Sequence, residues 1–327
     1  MKNYPVQVGF AGVASEWLEE LPTLTRQQRM RVSAVFDPQP SAAIAGAQSL
    51  QATHIKGFVQ LLDSQLVDAV IIGNPAWLGW HAVLQCLRRG LPTLLVVSRL
   101  DEETFFDDQL PEQVQLQEAM SYARADNGFL MPGLPLRWLP VTIRVRELTA
   151  TALGAIESLQ VTAQEAPLQS RVLAELLDWS LSVVQSAPES IQVQRVDDRL
   201  EVVLSCRRHR VDGRPVEVRI RNVIPGSGCA KSSDFDALGY CRHGEFKLTS
   251  PTTISHRAER SPVQECLQAD RSTFDVMLDL FGRRLVGGVV PVPDFADVLR
   301  ARNLVLTAVS SLDLCDAIEV GVDGLGI

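Results

Sequence analysis

The segment VQVGFAG at residues 6–12 decides the fold of this chain, because it is a short apolar strand that ends in a glycine. Outward from it, further apolar strands follow at residues 31–37 (RVSAVFD), 67–73 (VDAVIIG) and 92–97 (PTLLVV). Helical patterns separate these strands, at residues 17–24, 41–50, 58–62 and 76–89. Strands without polar alternation are typical of a parallel sheet that helices cover on both faces. The pattern therefore predicts a doubly wound parallel sheet of Rossmann type.

The pattern changes after about residue 125. A helix at 138–148, a strand at 155–161 and a helix at 171–184 precede three alternating segments at 191–196, 200–206 and 216–223. Alternating segments of this kind are typical of antiparallel strands. Residues 225–261 are rich in Gly, Ser and Pro and predict a loop beside one strand at 245–248, and helices at 273–285 and 295–312 close the chain. We therefore predict an α/β protein with a Rossmann-type domain at 1–124 and a C-terminal α+β domain, with a largely antiparallel sheet, at 125–327.

Composition excludes several classes of partner. The net charge of −8 argues against nucleic acid or an anionic membrane surface, since both favour a basic face. No stretch reaches the roughly 18 apolar residues of a membrane span, and the first residues lack the apolar core of a signal peptide. The six cysteines are scattered without a C-x-x-C pair, and only Cys229, Cys241 and His243 lie close enough in sequence to consider as metal ligands. We expect a cytoplasmic protein with reduced thiols and no metal site.

The ends of the first strands carry the pattern of a dinucleotide site. A glycine lets the backbone approach a pyrophosphate, and the carboxylate of Asp37 is placed to accept hydrogen bonds from ribose hydroxyls. That carboxylate favours NAD over NADP, because it repels a 2′-phosphate. In a G-x-G-x-x-G alignment Gly12 takes the first position, Ala14 the second and Trp17 the third, where its bulk weakens the match. The predicted cofactor-binding residues are Gly9, Gly12, Ala14, Asp37, Asn74, Pro75 and Trp77.

Further residues, spread along nearly the whole chain, carry a family resemblance. In order they are 8–12 (VGFAG), 34–38 (AVFDP), 68–72 (DAVII), Asn74, Pro75, His81, Gly90, 136–138 (LRW), Pro140, 146–148 (REL), 153–156 (LGAI), 175–179 (ELLDW), 294–295 (DF) and 301–306 (ARNLVL). On these residues the chain resembles the glucose–fructose oxidoreductase / inositol dehydrogenase / rhizopine catabolism (Gfo/Idh/MocA) family. The resemblance implies NAD(P)-linked hydride transfer at a carbon of a sugar or polyol, and pairing of subunits through the C-terminal sheet.

The sequence departs from both catalytic signatures that this resemblance implies. The family's E-K-P positions fall on Val96, Val97 and Ser98, and a one-residue slip offers only Arg99, which holds its proton too tightly for acid–base chemistry near neutrality. In the family's H-x-x-D signature the histidine position falls on Glu175, whereas Asp178 is kept. Glu175 and Asp178 lie at i and i+3 and share one helix face. A carboxylate there becomes a base if burial raises its pKa.

Two functions remain open at this point. The first is a catalytically altered or inactive relative that serves in binding or assembly, and the second is an active NAD(P)-dependent oxidoreductase on a sugar or polyol. The active form uses Glu175 and Asp178, or His81 in the helix after the strand at 67–73. A sensor of a sugar acid is a third, more distant alternative. For each we expect a sugar-like small molecule as ligand, and a homo-oligomer formed through the open face of the C-terminal sheet.

Overall fold

The structure is a computed structural model that describes most of the chain. The described residues are 5–13, 21–73, 79–96, 121, 128–163, 170–196, 199–207, 215–222, 235–249, 252–258, 262–268, 270–314 and 318–320. The chain divides into two compact units. The first comprises Met1–Pro135 with Arg271–Phe295, and the second comprises Leu136–Asp270 with Ala296–Ile327. The sequence predicted a single domain boundary near residues 120–130. It did not predict that Arg271–Phe295 belongs to the first unit.

The first unit contains a six-stranded, fully parallel sheet. Its strands are β1 (Val6–Ala11), β2 (Met30–Phe36), β3 (Thr53–His54), β4 (Ala69–Ile72), β5 (Thr93–Leu95) and β6 (Leu130–Pro132). The strand order is β3-β2-β1-β4-β5-β6, which is the order of a dinucleotide-binding Rossmann sheet. Strand β4 is buried along its whole length and β1 over its last four residues, as the apolar sequences predict. The parallel sheet is therefore confirmed.

Helices cover this sheet and the sheet of the second unit. The described helices are α1 (Leu21–Thr25), α2 (Pro40–Leu50), α3 (Phe58–Leu62), α4 (Trp80–Arg88), α5 (Pro140–Thr151), α6 (Ser170–Val184), α7 (Thr273–Leu285) and α8 (Phe295–Leu314). Within this part of the chain none is long and apolar enough to cross a bilayer. A 3-10 turn at Pro135–Trp138 precedes α5, where the sequence predicted one continuous helix from 138. The turn occurs because Pro140 has no N–H and best occupies the first turn of a helix.

Helix α7 belongs to the first unit although it lies far along the chain. Its carboxylate Asp279 accepts a hydrogen bond from Nη1 of Arg29 at 2.9 Å. The ring of Phe281 packs edge-on against Phe129, with 5.6 Å between centroids. The helix itself was predicted from its apolar spacing, but these contacts join residues some 150 to 250 positions apart in the chain. Only the tertiary structure assigns α7 to the first unit.

The second unit contains a nine-stranded sheet that is antiparallel apart from one pair of strands, as predicted. Its strands are β7 (Ile156–Ala163), β8 (Pro188–Val196), β9 (Arg199–Cys206), β10 (Val216–Asn222), β11 (Phe235–Cys241), β12 (Gly244–Thr249), β13 (Thr253–Arg257), β14 (Val263–Cys266) and β15 (Ile318–Glu319). The parallel pair is β7 with β10. One face packs on helices, where Trp179 of α6 stacks edge-on against Phe235 with 4.7 Å between ring centroids. In α8, Oγ of Ser311 accepts a hydrogen bond from the backbone N–H of Val193 at 2.9 Å.

The segment predicted as a loop around a single strand contains three strands, β11, β12 and β13. Strand β11 escaped prediction because Gly239 interrupts its alternation, and glycine disfavours a strand interior. In the sheet Gly239 pairs with Phe246 of β12. A Cβ atom at Gly239 would lie 2.2 Å from Cε1 of Phe246, so the glycine leaves the space that the aromatic ring fills. The packing of Phe246 against Gly239 thus outweighs the low preference of glycine for a strand interior.

Candidate functional site

The carboxyl ends of the parallel strands form one edge, and backbone hydrogen bonds keep the strands in register beyond their last residues. The N–H of Gly12, directly after β1, donates to the carbonyl of Phe36 at 3.0 Å. The N–H of Gly73, after β4, donates to the carbonyl of Ala11 at 2.9 Å. Gly12 has a φ of 82°, which a residue with a Cβ adopts only at a cost. In this strand order ligands bind outside this edge, where the strand order reverses.

Asp37 lies at this edge, immediately after β2. Its Oδ1 accepts a hydrogen bond from the backbone N–H of Gln39 at 2.7 Å. A second backbone hydrogen bond comes from Val13, in the segment that leaves β1. Burial raises the pKa of Asp37, and these two hydrogen bonds offset only part of the rise. The carboxylate is thus fixed beside the end of β1, where a ribose is held in this fold.

Gly9 has different surroundings from Gly12 and Asp37. It lies inside β1, two residues or about 7 Å before the last residue of that strand. A Cβ atom at Gly9 would lie 3.1 Å from Cγ1 of Val67 and 3.2 Å from Cδ1 of Leu61 in α3. The structure therefore gives Gly9 a packing role away from the edge. Four other predicted residues lie outside the described part of the chain: Ala14, Asn74, Pro75 and Trp77.

His81 and Val96 follow strands of the same sheet. His81 is the second residue of α4 and is exposed, whereas its neighbour Trp80 is buried with its ring 5.0 Å from that of Phe295. Val96 follows β5, and its N–H donates to the carbonyl of Ile72 at 3.1 Å. The side chain of Val96 is buried, so an apolar group stands at the first of the three positions aligned with E-K-P. Trp17, Val97, Ser98 and Arg99 lie outside the described residues.

In the second unit, the predicted catalytic residue Asp178 is bound on both carboxylate oxygens. Nε of Arg137 donates to Oδ2 of Asp178 at 2.8 Å, and Nη2 donates to Oδ1 at 2.5 Å. Only 13% of the Arg137 side chain and 5% of the Asp178 side chain is exposed. Nη1 of Arg137 also donates to Asp297 at 3.2 Å, and Arg300 pairs with the other oxygen of Asp297 at 3.1 Å. The arrangement is a buried network of two arginines and two aspartates.

The pKa shifts in this network have identifiable causes. Burial raises the pKa of Asp178, and the bidentate contact with Arg137 opposes that rise. Burial by itself lowers the pKa of Arg137, but the hydrogen bonds and charges of Asp178 and Asp297 outweigh it and raise the pKa above the ordinary arginine range. Arg137 is thus permanently charged, and its two partners are held on it. The network joins the turn at Pro135–Trp138 to α6 and to α8.

Glu175 lies one turn before Asp178 on α6 and is half-buried, with its Oε1 atom buried. The structure thus keeps the two predicted carboxylates on one helix but gives them different surroundings. The sequence had singled out Asp178 as a candidate catalytic residue and Arg137 as part of the family resemblance. Their pairing across 41 positions has no signature in the sequence. As for the cysteine cluster weighed as a metal site, Cys241 is buried in β11, and Cys229 lies outside the described residues.

Comparison with known proteins places the fold. No protein-family model matches the sequence, and no curated protein matches it at a significant level. Several solved structures match along nearly their whole length. An NAD binding oxidoreductase from Klebsiella pneumoniae is 12% identical, with a TM-score of 0.75 over 98% of this chain and 100% of that chain. An aldose-aldose oxidoreductase from Caulobacter crescentus, complexed with glycerol, is 11% identical, with a TM-score of 0.72 over 97% and 100%.

A third structure carries a nucleotide. The 3-ketoreductase KijD10 from Actinomadura kijaniata, in complex with TDP-benzene and NADP, is 17% identical to this chain. Its TM-score is 0.67 over 94% of this chain and 98% of that chain. At such identities the likeness concerns the fold. The structural neighbours are oxidoreductases of the Gfo/Idh/MocA type, so the resemblance inferred from the sequence is confirmed as a likeness of fold along nearly the whole chain.

Proposed function

We propose that this protein binds NAD(H) and a sugar-like small molecule, and that its oxidoreductase chemistry is altered or lost relative to its structural neighbours. The observation that carries the proposal is the ion pair of Asp178 with Arg137. A general acid or base must come within about 2.6–3.2 Å of the proton it transfers. Both oxygens of Asp178 are already hydrogen-bonded to a buried guanidinium. The one acid that matches the second signature is therefore engaged in a structural pair.

The size of the rate loss expected without these acid–base groups supports this proposal. A positioned acid or base contributes about 10²- to 10⁴-fold to a rate. Glu175 replaces the histidine of the second signature, and the buried Val96 stands where the first signature begins. A hydride can still be transferred without these groups, but the accompanying proton then has no assigned acceptor. We expect binding to be retained and turnover to be weak or absent.

The residues at the carboxyl edge fit a dinucleotide. Gly12 has the positive φ that brings a backbone N–H close to a phosphate, and Asp37 is a fixed carboxylate at the end of β2. When bound, the nicotinamide supplies the hydride chemistry. The names of two neighbours support a nucleotide here, one as an NAD binding oxidoreductase and one in complex with NADP. We favour NAD, because Asp37 repels a 2′-phosphate.

An active oxidoreductase is the second candidate. It is favoured by the half-buried Glu175, a carboxylate on α6, and by the exposed His81 at the start of α4. Either group serves as a base if a substrate hydroxyl reaches it. Asp178, the third residue considered for this role, is the weakest of the three because Arg137 occupies it.

The open face of the second sheet supports self-association. On it Glu201 is almost completely buried, and Gln194 donates to its Oε2 at 2.6 Å. Arg221 and Arg219 of β10 also pair with this glutamate. The side chains of Arg219 and Arg221 are 33% and 46% exposed, so they can still donate hydrogen bonds to a second copy of the chain. Light scattering at micromolar concentration tests this proposal, and a monomer contradicts it.

Nucleotide affinity is the direct test of the binding function. Calorimetric titration with NADH is expected to give a Kd below about 1 mM, which corresponds to about −4 kcal/mol. Asp37→Ser should weaken NADH about tenfold and NADPH less, because the lost acceptor serves the ribose of NADH. Asp63→Ser is the matched control, since Asp63 is an exposed acid paired with Arg89 after α3. A Kd above about 1 mM for both nucleotides in the wild-type protein contradicts the cofactor role.

A variant that reintroduces the family's missing residues distinguishes a protein that has lost the oxidoreductase reaction from one that carries it out with other residues. The triple change Trp17→Gly, Val97→Lys and Glu175→His reintroduces the third glycine, the lysine and the histidine of the resemblance. If the site derives from a dehydrogenase, the triple variant should bind NADH more tightly than the wild type, measured by fluorescence. Equal or weaker binding contradicts that origin. Micromolar binding by the wild type, with polyol oxidation that Glu175→Gln abolishes, favours the second candidate.

A further inference from the structure

Arg146 of α5 is a cation without a carboxylate partner among the described residues. Its Nε atom is buried and has no hydrogen-bond acceptor in that part of the chain. Its Nη1 reaches only the backbone carbonyl of Arg137, at 3.5 Å, which is long for a hydrogen bond. Burial and the charge of Arg137 lower the pKa of Arg146, and Asp178 offsets them only in part. Among the described residues, no carboxylate forms an ion pair with this partly buried guanidinium, and Asp178 compensates its charge only in part.

The neighbouring carboxylates are already committed to other arginines. Asp178 gives both oxygens to Arg137, and Asp297 is shared between Arg137 and Arg300. A buried charge is ordinarily paired, because an uncompensated one is strongly destabilising. Since no described carboxylate pairs with Arg146, its guanidinium is available to an anion that the described residues do not supply.

A second buried donor belongs to the residue that follows Arg137, the residue whose backbone carbonyl Nη1 of Arg146 reaches. Nε1 of Trp138, the residue directly after Arg137, is buried and also lacks an acceptor among the described residues. An indole nitrogen only donates, so no rearrangement of its own hydrogen satisfies it. By contrast, Nε1 of Trp179 in the same unit donates to Oγ1 of Thr142 at 2.9 Å. Two unsatisfied donors, one of them charged, define a site for an acceptor that carries negative charge.

We infer that Arg146 and Trp138 hold the acidic group of a ligand, a carboxylate or a phosphate on a sugar-like scaffold. The scaffold rests on the proposed function, whereas the acidic group follows from the two donors alone. Guanidinium N–H groups bind carboxylates and phosphates with charge-assisted hydrogen bonds, and the indole N–H adds a neutral one. A carboxylate and a phosphate both present negatively charged oxygens, and the probes described next distinguish the two groups.

Three probes on one scaffold test this inference by calorimetry without nucleotide: D-glucose, D-glucuronate and D-glucose 6-phosphate. At least one of the two acidic sugars is expected to bind at least tenfold more tightly than glucose. Preference for glucuronate identifies a carboxylate site, and preference for the phosphate identifies a phosphate ester site. Arg146→Met should weaken the acidic probe by about 10- to 100-fold, because a hydrogen bond to a charged group is lost. Trp138→Phe keeps a ring and should weaken it about 3- to 10-fold.

Arg144→Met is the matched control on the same helix, since Arg144 is already paired with Glu265 and Glu147. It should leave the affinity of the acidic probe unchanged. Equal binding of all three sugars, no binding of either acidic sugar, or equal losses in Arg146→Met and Arg144→Met overturns the inference. Nucleotide is absent throughout, so these outcomes do not depend on NADH binding, which is the other part of the proposed function.

Stability gives a second measurement that needs no ligand. Arg146→Met removes a cation that no described carboxylate pairs with, so in buffer without multivalent anions the variant should melt at or above the wild-type temperature. Inorganic phosphate should then raise the melting temperature of the wild type and not that of Arg146→Met. A variant that melts well below the wild type, or fails to fold, shows that Arg146 has a structural partner and overturns the inference.

Discussion

Substitution of Asp178 by asparagine tests whether this carboxylate is structural. The change keeps the shape of the side chain and removes the charge that faces Arg137. Removing one partner of a buried ion pair costs about 3–5 kcal/mol. We expect the lower end, about 3 kcal/mol, because Arg137 keeps its contact with Asp297 at 3.2 Å and the amide keeps one acceptor oxygen. For a unit of this size the melting temperature should fall by about 6–12 °C.

Urea unfolding, followed by circular dichroism and by tryptophan fluorescence, measures this cost. A double variant, Arg137→Met with Asp178→Leu, provides the comparison, since replacing both partners of a buried pair by apolar residues is often close to neutral. It should therefore be more stable than Asp178→Asn alone. NADH binding, measured in parallel by calorimetry, should be unchanged within about twofold in Asp178→Asn, because the contacts of Asp178 are with Arg137 and not with Gly12 or Asp37, the residues proposed to hold the nucleotide.

The reasoning fails if Asp178→Asn changes stability by less than about 1 kcal/mol, which is the range of exposed pairs. It also fails if the variant is fully stable and has lost a measurable oxidoreductase activity of the wild type. That pair of results would describe a carboxylate kept for chemistry and not for structure.

Three further predictions concern single contacts. Arg144 lowers the pKa of Glu265 below its ordinary value near 4.5, so Glu265→Gln should reduce the free energy of unfolding by under about 1 kcal/mol at neutral pH. Because the pKa of Glu265 is depressed in the folded state, the full difference in stability between wild type and variant is present above about pH 4.5. It should vanish, in urea unfolding measured at decreasing pH, as the pH falls through the folded-state pKa. Gly239→Ala should cost about 1–3 kcal/mol, because its Cβ meets Phe246 at 2.2 Å, and Phe246→Leu should reduce that cost in thermal melts. Gly12→Ala should cost about 1–2 kcal/mol at its φ of 82° and should weaken NADH in calorimetry, whereas unaltered stability and affinity contradict its assigned conformation.

The fold was largely predictable because parallel strands and their helices leave periodic signals. The helix at 273–285 was predicted with the bounds that the structure gives it. Strands β3 and β6 were missed, since two or three residues carry no periodic signal. Strand β11 was missed because Gly239 contradicts strand preference until Phe246 is placed against it. The return of α7 to the first unit depends on contacts such as Arg29 with Asp279, which no local pattern encodes.

The site was predictable in its residue types and less so in its pairings. The sequence identified Asp37 at the end of β2 and Asp178 on α6, and the structure describes both at those places. It did not indicate that Arg137 neutralises Asp178, because charge pairing over 41 positions depends on how two elements pack. Nor did it single out Arg146, whose significance lies in the acceptor that the described chain does not offer. Hydrogen-bond satisfaction is a property of the folded interior and has no sequence pattern.

The central claim is that this protein still binds NAD(H) and a sugar-like molecule, whereas its oxidoreductase activity is altered or lost. One measurement tests it most directly: the formation of NADH by the wild-type protein and by Glu175→Gln, with saturating NAD⁺ and with myo-inositol, D-glucose or D-glucuronate as substrate. The account predicts that the protein, shown by calorimetry to bind the nucleotide, forms NADH no faster than Glu175→Gln with any of the three. Steady turnover by the wild type that Glu175→Gln reduces by about 10²-fold or more would contradict the account and establish an active oxidoreductase with Glu175 as its base.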